Sequence, residues 1–137
     1  MKHKAMRTTL ILTAAACCGA VLLLRCKEPE ARQTLLADES ARTAWLELRG
    51  WHVAEPEVSQ MLVPSAWQTV PGQSWLRLQA AQGLHPEDYA GRSAARYLYP
   101  VTNTGSKNMY AELLLCGDVL IGAQVYDAST QLMQSVL

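Results

Sequence analysis

The stretch "MYAELLLCGDVLIGAQVYD", Met109 to Asp127, decides the fold of this chain of 137 residues. Two apolar runs in it flank Gly117-Asp118, and a two-residue loop of this composition joins strands in a tight antiparallel hairpin. We therefore predict two paired strands, Met109–Cys116 and Val119–Tyr126.

A third strand precedes this hairpin. Ala95, Tyr97, Tyr99 and Val101 recur at a period of two, which places the four side chains on one face of a strand whose other face carries Arg96, Leu98 and Thr102. Pro100 lies within this run and cannot donate a ladder hydrogen bond. We therefore expect Pro100 at a sheet edge or at a bulge.

Helical signals come earlier in the chain. Asp38 or Ser40 can cap a first helix that ends at Gly50, and a second helix begins near Pro71 and ends at Gly83. A further turn is expected between Gly83 and Gly91. The apolar face predicted for the first helix consists of Ala37, Ala41, Ala44, Trp45 and Leu48.

Three shorter elements complete the prediction. Trp51–Val53 and Val58–Val63 read as short strands, and a last helix is expected from about Ser129. Helices followed by a run of strands are typical of an α+β domain. The sequence thus predicts one small domain with an antiparallel sheet packed against helices, which we expect on one face of the sheet.

The N-terminus has the pattern of an export or membrane signal. Lys2, Lys4 and Arg7 precede the uncharged run Thr8 to Leu24, which is near the length of about 20 apolar residues that a membrane span needs. We expect a single transmembrane anchor whose short basic tail stays in the cytoplasm. The predicted membrane anchor includes Thr8, Leu12, Gly19 and Leu24.

This interpretation divides the chain into three parts. Residues 1–26 are the cytoplasmic tail and anchor, residues 27–37 a tether, and residues 38–137 the extracytoplasmic domain. Two alternatives stay open, because Ala14-Ala15-Ala16 is a small-residue cleavage site and Cys17 could accept a lipid. The chain would then be secreted or lipid-anchored rather than held by a single-pass span.

Charge argues against a nucleic-acid partner. All twelve acids follow Cys26, whereas only eight of the twelve basic residues do, so this part has a formal charge of −4. The arginines are scattered among acids and form no basic patch. The expected contacts are instead the membrane, through the N-terminal helix, and an envelope protein or wall component.

No catalytic motif stands out. We find no nucleophile elbow, metal-ligand spacing or phosphate-binding loop, and we expect no cofactor, metal or catalytic residue. Tyrosine and tryptophan, which suit half-wet contact surfaces, are more prominent. The candidate binding surface consists of Arg96, Tyr97 and Tyr99 on the long strand with Gln79 and Gln82 on the facing helix.

The order of several motifs resembles a small exported bacterial family, domain of unknown function 4830, found mostly in clostridia. "ARTAWLELRGWHV", "VPSAWQTV" and "LLLCGDVLIGA" carry the resemblance, which covers about Ala41 to Val125. The matching positions are Gly50-Trp51, Pro64, Gln79, Gln82-Gly83, Tyr89, Gly91, Arg96-Tyr97, Tyr99, Asn103, Gly117 and Gly122. Pro100 and the segment after Gly122 depart from the pattern. The resemblance implies an extracytoplasmic location and a fold, and leaves the activity open.

These observations favour a non-enzymatic domain at the cell envelope that binds or modulates a partner. The alternative is an envelope enzyme, or an accessory to one, that uses carboxylates brought together by the fold. Glu47, Glu112 and Asp127 are the candidates for that alternative.

Overall fold

The computed structural model describes residues 32–137, which form an α+β domain around one antiparallel sheet. The sheet has five strands in the order β1-β2-β3-β4-β5, so each strand pairs with its neighbours in sequence. The elements in chain order are α1 (Glu39–Glu47), β1 (Glu57–Leu62), α2 (Val70–Ala80), a 3₁₀ turn (Pro86–Tyr89), β2 (Ser93–Pro100), β3 (Met109–Cys116), β4 (Val119–Asp127) and β5 (Leu132–Gln134).

The predicted hairpin is confirmed, with β3 and β4 joined through Gly117-Asp118. Its register shifts by one residue along the strands. Leu115 pairs with Leu120, but Leu114 pairs with Gly122, so Ile121 is an extra residue in β4. Pro100 was expected at a sheet edge or at a bulge. The bulge instead lies in β4, and Pro100 is the last residue of β2, which lies between β1 and β3.

The core lies on both faces of the sheet. On the first face Leu46 of α1 packs with Tyr99, Leu113 and other buried residues. On the second face Trp75 of α2 packs against a smaller cluster that includes Leu114 and Ile121. The prediction of helices on one face was therefore wrong, because α1 and Trp75 cover opposite faces.

The first helix lies where it was expected, and Ala41 and Trp45 of its predicted apolar face pack against the core, but its buried positions are shifted by one residue. Asp38 caps it, accepting a hydrogen bond of 2.8 Å from the amide of Ala41. The buried residues are Arg42 and Leu46, while Leu48, assigned to the apolar face, is 85% exposed. An arginine in the buried stripe hides the helical periodicity, because hydropathy alone places it in solvent.

Two of the shorter predictions were wrong. The segment Trp51–Val53 makes only an isolated bridge between Val53 and Val101. The expected last helix is replaced by a turn and β5, which pairs with Val125, Tyr126 and Asp127. Asp127 accepts from both the amide and the hydroxyl of Ser129, and this local capping turns the chain back into a strand.

The outer edge of β4 is covered by three different devices. Residues 34–36 cover its start, where Leu36 donates to Asp118 at 2.8 Å and Leu120 donates to Thr34 at 2.9 Å. β5 covers its end. Between them, at Ala123, both main-chain groups bond to glutamine side chains of the α2 region.

These two glutamines replace a strand at Ala123. The amide of Ala123 donates to Gln79 Oε1 at 2.8 Å, and its carbonyl accepts from Gln82 Nε2 at 2.8 Å. Gln82 Oε1 also accepts from the amide of Val136 at 2.9 Å. A buried edge with unpaired main-chain groups would be costly, so these side chains keep the sheet closed here.

We expect Gln79→Met to lower the free energy of unfolding by about 1–3 kcal/mol, because the buried amide of Ala123 would lose its acceptor. Chemical denaturation of the two chains measures the difference. Gln68→Met, at an exposed glutamine, is the matched control and should change stability little. Equal stability of Gln79→Met and the parent chain would show that the glutamine does not hold the edge.

Candidate functional site

Part of the second sheet face, beyond Trp75, carries side chains that stay partly exposed. We call this region the open face. It lies across the middle strands, away from the Gly117-Asp118 loop. Its members are Arg96, Leu98, Tyr110, Glu112, Tyr126 and Met133, which the register places on one side of β2, β3, β4 and β5.

An ion pair occupies the centre of the open face. Arg96 on β2 donates to Glu112 Oε2 on β3 at 2.9 Å. The hydrogen bond to Glu112 raises the pKa of Arg96, while burial acts against it. The pair thus fixes one positive and one negative group in a defined orientation on an otherwise aromatic and apolar surface.

Two tyrosines stack beside the ion pair. Tyr110 and Tyr126 are directly opposite in the register of β3 and β4, and their ring centroids lie 5.7 Å apart. Burial, and then the charge of Glu112, raises the pKa of Tyr126. The rings therefore give the open face an aromatic platform with a neutral hydroxyl near two charges.

Tryptophans form the boundary of the open face. Trp75 Nε1 donates to Gln124 Oε1, and the Trp75 ring stacks on Trp67 with centroids 5.0 Å apart. A methyl group at Gly122 would lie 3.3 Å from the Trp75 ring, so a larger residue would displace the ring. The small residue at position 122 thus lets the tryptophan pack directly on the sheet.

The first face carries a buried polar network. Arg42 Nε donates to the Tyr99 hydroxyl at 3.1 Å, and that hydroxyl donates to Glu39 Oε2 at 3.1 Å. Arg42 also bonds to Glu39 at 3.0 Å and lies 4.0 Å from the centre of the Tyr97 ring. These contacts join α1 to β2 and satisfy a buried guanidinium.

The structure does not bring the five residues of the predicted binding surface together. Tyr97 and Tyr99 lie on the first face under Arg42, and Tyr99 is fully buried. Arg96 points to the second face, where it is part of the open face. Gln79 and Gln82 are occupied at the edge of β4.

Sequence reasoning missed Tyr110 and Tyr126. Counting back from an unbroken hairpin pairs Tyr110 with Val125 and sends Tyr126 to the other face. The bulge at Ile121 shifts the register by one residue and places both tyrosines side by side. Gly122, next to two aliphatic residues, was the available signal, because glycine within a strand often marks a bulge.

The three candidate carboxylates do not form a common acid pair. Glu112 is bound to Arg96 on the second face. Asp127 caps the turn to Ser129, which together with that turn's other hydrogen bonds lowers its pKa, and strand alternation directs it to the first face. Glu47 is exposed at the end of α1.

The predicted anchor residues, Thr8, Leu12, Gly19 and Leu24, lie outside the described residues. Within residues 32–137, no helix is long and apolar enough to cross a membrane. The same part of the chain contains no group of three or more histidine, cysteine or acidic residues that could hold a metal ion.

Comparison of the chain with family models, curated proteins and solved structures found no match. The resemblance to the exported bacterial family therefore stays a prediction.

We expect Tyr99→Phe to lower the free energy of unfolding by about 1–3 kcal/mol at neutral pH, because Arg42 Nε loses its acceptor in a buried position. Urea denaturation measures this loss. A stability equal to that of the parent chain would show that the network contributes nothing.

The same variant tests the pH dependence of the network. Burial raises the pKa of Tyr99 well above its ordinary value, so the folded state favours the neutral phenol. Its contribution is present below about pH 10, the unfolded pKa, and is lost as the pH rises further. The difference in the free energy of unfolding between the parent chain and Tyr99→Phe should therefore stay constant up to about pH 9 and narrow as the pH rises above about 10. A constant difference would contradict this assignment.

Proposed function

We propose that this chain is a non-enzymatic binding module of the cell envelope and that its open face contacts the partner. The observation that carries the proposal is the Arg96–Glu112 pair beside the stacked Tyr110 and Tyr126, all partly exposed on the sheet. Tyrosine and arginine dominate the energetics of many protein interfaces, and tyrosine loses little conformational entropy when it binds.

The chemistry of the open face supports a partner that is polar as well as apolar. A hydroxyl, a cation and an anion lie within a surface that also exposes Leu98 and Met133. A peptide segment of an envelope protein or a wall component offers both kinds of group. The carboxylates support binding better than hydrolysis, since Glu112 has an arginine partner and Asp127 is used in a turn.

The envelope location rests on the N-terminal sequence. Three basic residues precede the uncharged run from Thr8 to Leu24, a pattern that favours a retained anchor with the domain outside. A short polar tether then leads to the domain. An anchored module of this kind would hold its binding face close to envelope partners.

The first experiment uses two neighbouring residues of β5 as a matched pair. Met133 pairs with Tyr126 on the open face, whereas Leu132 pairs with Asp127 and lies on the opposite face. They are 48% and 72% exposed, so lysine is tolerated at either position. Full-length variants are expressed in the native host, cross-linked, and purified for identification of bound protein and wall fragments.

We expect Met133→Lys and Tyr126→Ala to reduce the recovered partner at least about tenfold, which corresponds to about 1.4 kcal/mol of binding free energy. Leu132→Lys should recover the partner at the level of the parent chain. Equal recovery from all variants, each with an unchanged unfolding transition, would contradict binding by the open face.

A second measurement tests the location. The intact mass of the mature protein is determined from membrane and medium fractions of the host. We expect the full-length mass in the membrane fraction. Loss of the first sixteen residues would indicate secretion, and a diacylglycerol adduct on Cys17 would indicate a lipoprotein.

A further inference from the structure

β1 and β4 differ in what covers their outer sides. The outer edge of β4 is covered along its length by residues 34–36, the two glutamines and β5. In contrast, no strand within residues 32–137 pairs with the outer side of β1. Five of its six residues are exposed, including Val58 at 53% and Leu62 at 69%.

The hydrogen bonds of Val63 show which main-chain groups are free. Its amide donates to Arg92 at 2.9 Å and its carbonyl accepts from Gly91 at 2.8 Å, so both of its groups point toward the β2 side. Main-chain groups alternate between the two sides along an antiparallel strand. Val58, Gln60 and Leu62 therefore present their N–H and C=O groups at the open edge.

Nothing in β1 blocks a further strand. Proteins protect exposed edges with lysine, proline, bulges or very short strands. β1 spans six residues, its pairing with β2 is regular, and it contains no lysine or proline between Pro56 and Pro64. As far as residues 32–137 are concerned, the edge is thus open to strand addition.

We infer that β1 pairs antiparallel with β1 of a second copy of this chain, about a two-fold axis at Gln60. A two-fold axis perpendicular to the sheet keeps like faces on the same side, so two residues that pair across it must have side chains on the same face. Because side chains alternate along a strand, the numbers of two such residues are both odd or both even, and their sum is even. Pairing about Gln60 joins the three residues with free main-chain groups to one another. Each of these pairs exchanges two hydrogen bonds.

This register also matches the side chains. It sets Val58 opposite the partner's Leu62, and Leu62 opposite the partner's Val58, so the two exposed apolar side chains of β1 cover each other. Glu57, the only charged residue of β1, lies opposite the partner's Val63 and meets no like charge. Pairing about Ser59 would instead set Leu62 opposite the partner's Pro56, which lies outside β1.

The paired sheet keeps both open faces on one side, since the two-fold axis does not invert the sheet. Six-residue strands bury less than the roughly 800 Å² per partner of a standard stable interface. The association is therefore reversible and depends on concentration. It is independent of what the open face binds.

Disulfide trapping tests the register. The full-length chain, with Cys17, Cys18 and Cys26 replaced by serine, receives either Gln60→Cys or the adjacent Ser59→Cys and is oxidised in membranes. Across a Gln60-centred axis, the Cα atoms at position 60 lie about 5.5 Å apart, within disulfide reach. Across the same axis Ser59 is opposite the partner's Met61. The two Cα atoms at position 59 are therefore two residues out of register and too far apart for a disulfide.

We expect covalent dimer from Gln60→Cys and at most a trace from Ser59→Cys. Dimer from Ser59→Cys alone would overturn the Gln60-centred register. A monomer from both variants would overturn self-pairing. Cross-linking only to a different protein would overturn it and assign the edge to that protein.

Charged residues introduced at positions 58 and 62 give a second test that needs no oxidation. Val58→Lys with Leu62→Lys opposes lysines across the axis, and Val58→Lys with Leu62→Glu opposes unlike charges. Both substitutions lie at exposed positions, so each chain keeps its fold. In light scattering, we expect the first pair of substitutions to raise the dissociation constant of the dimer at least about tenfold, and the second pair to return it to that of the parent chain. Equal association of the two variants would overturn the proposal.

Discussion

The extra residue in β4 determines which side chains of the central hairpin share a face. Because side chains alternate along a strand, one inserted residue exchanges the two faces of everything beyond it. Ile121 is that residue, and its insertion places Tyr126 beside Tyr110 and Val125 in the core. The open face, the core beneath α1 and the alignment of β5 all depend on this shift.

The contacts that cover the outer side of β4 are a second constraint on the sheet. At Ala123 the chain uses side-chain amides where another protein would use a strand, and Gln82 extends the same bonding to Val136. These contacts draw the α2 region and the C-terminal residues to one edge. The opposite edge, β1, has no such cover within the described residues, and this asymmetry motivates the self-pairing proposal.

Binding and burial compete for the same residue types in this domain. Tyr97, Tyr99 and Arg42 have the polar-tipped chemistry of a contact surface, yet their hydrogen bonds and stacking join α1 to the sheet. Tyr110, Tyr126 and Arg96 have the same chemistry and stay partly exposed. The two sets differ in the face of the sheet that they occupy, because the structural set lies on the face that α1 covers and the candidate functional set lies on the opposite face.

The sequence by itself determined the elements whose signals are local. The Gly117-Asp118 loop, the Asp38 cap and the proline at the start of α2 each act within a few residues, so the hairpin and both helices could be predicted. Tertiary structure decided the rest, because a bulge, a buried arginine and a glutamine that replaces a strand are stabilised by partners distant in sequence. The same reason explains the open face, whose two tyrosines meet only through the register, and the last strand, which replaced a predicted helix because β4 offered an edge to pair with.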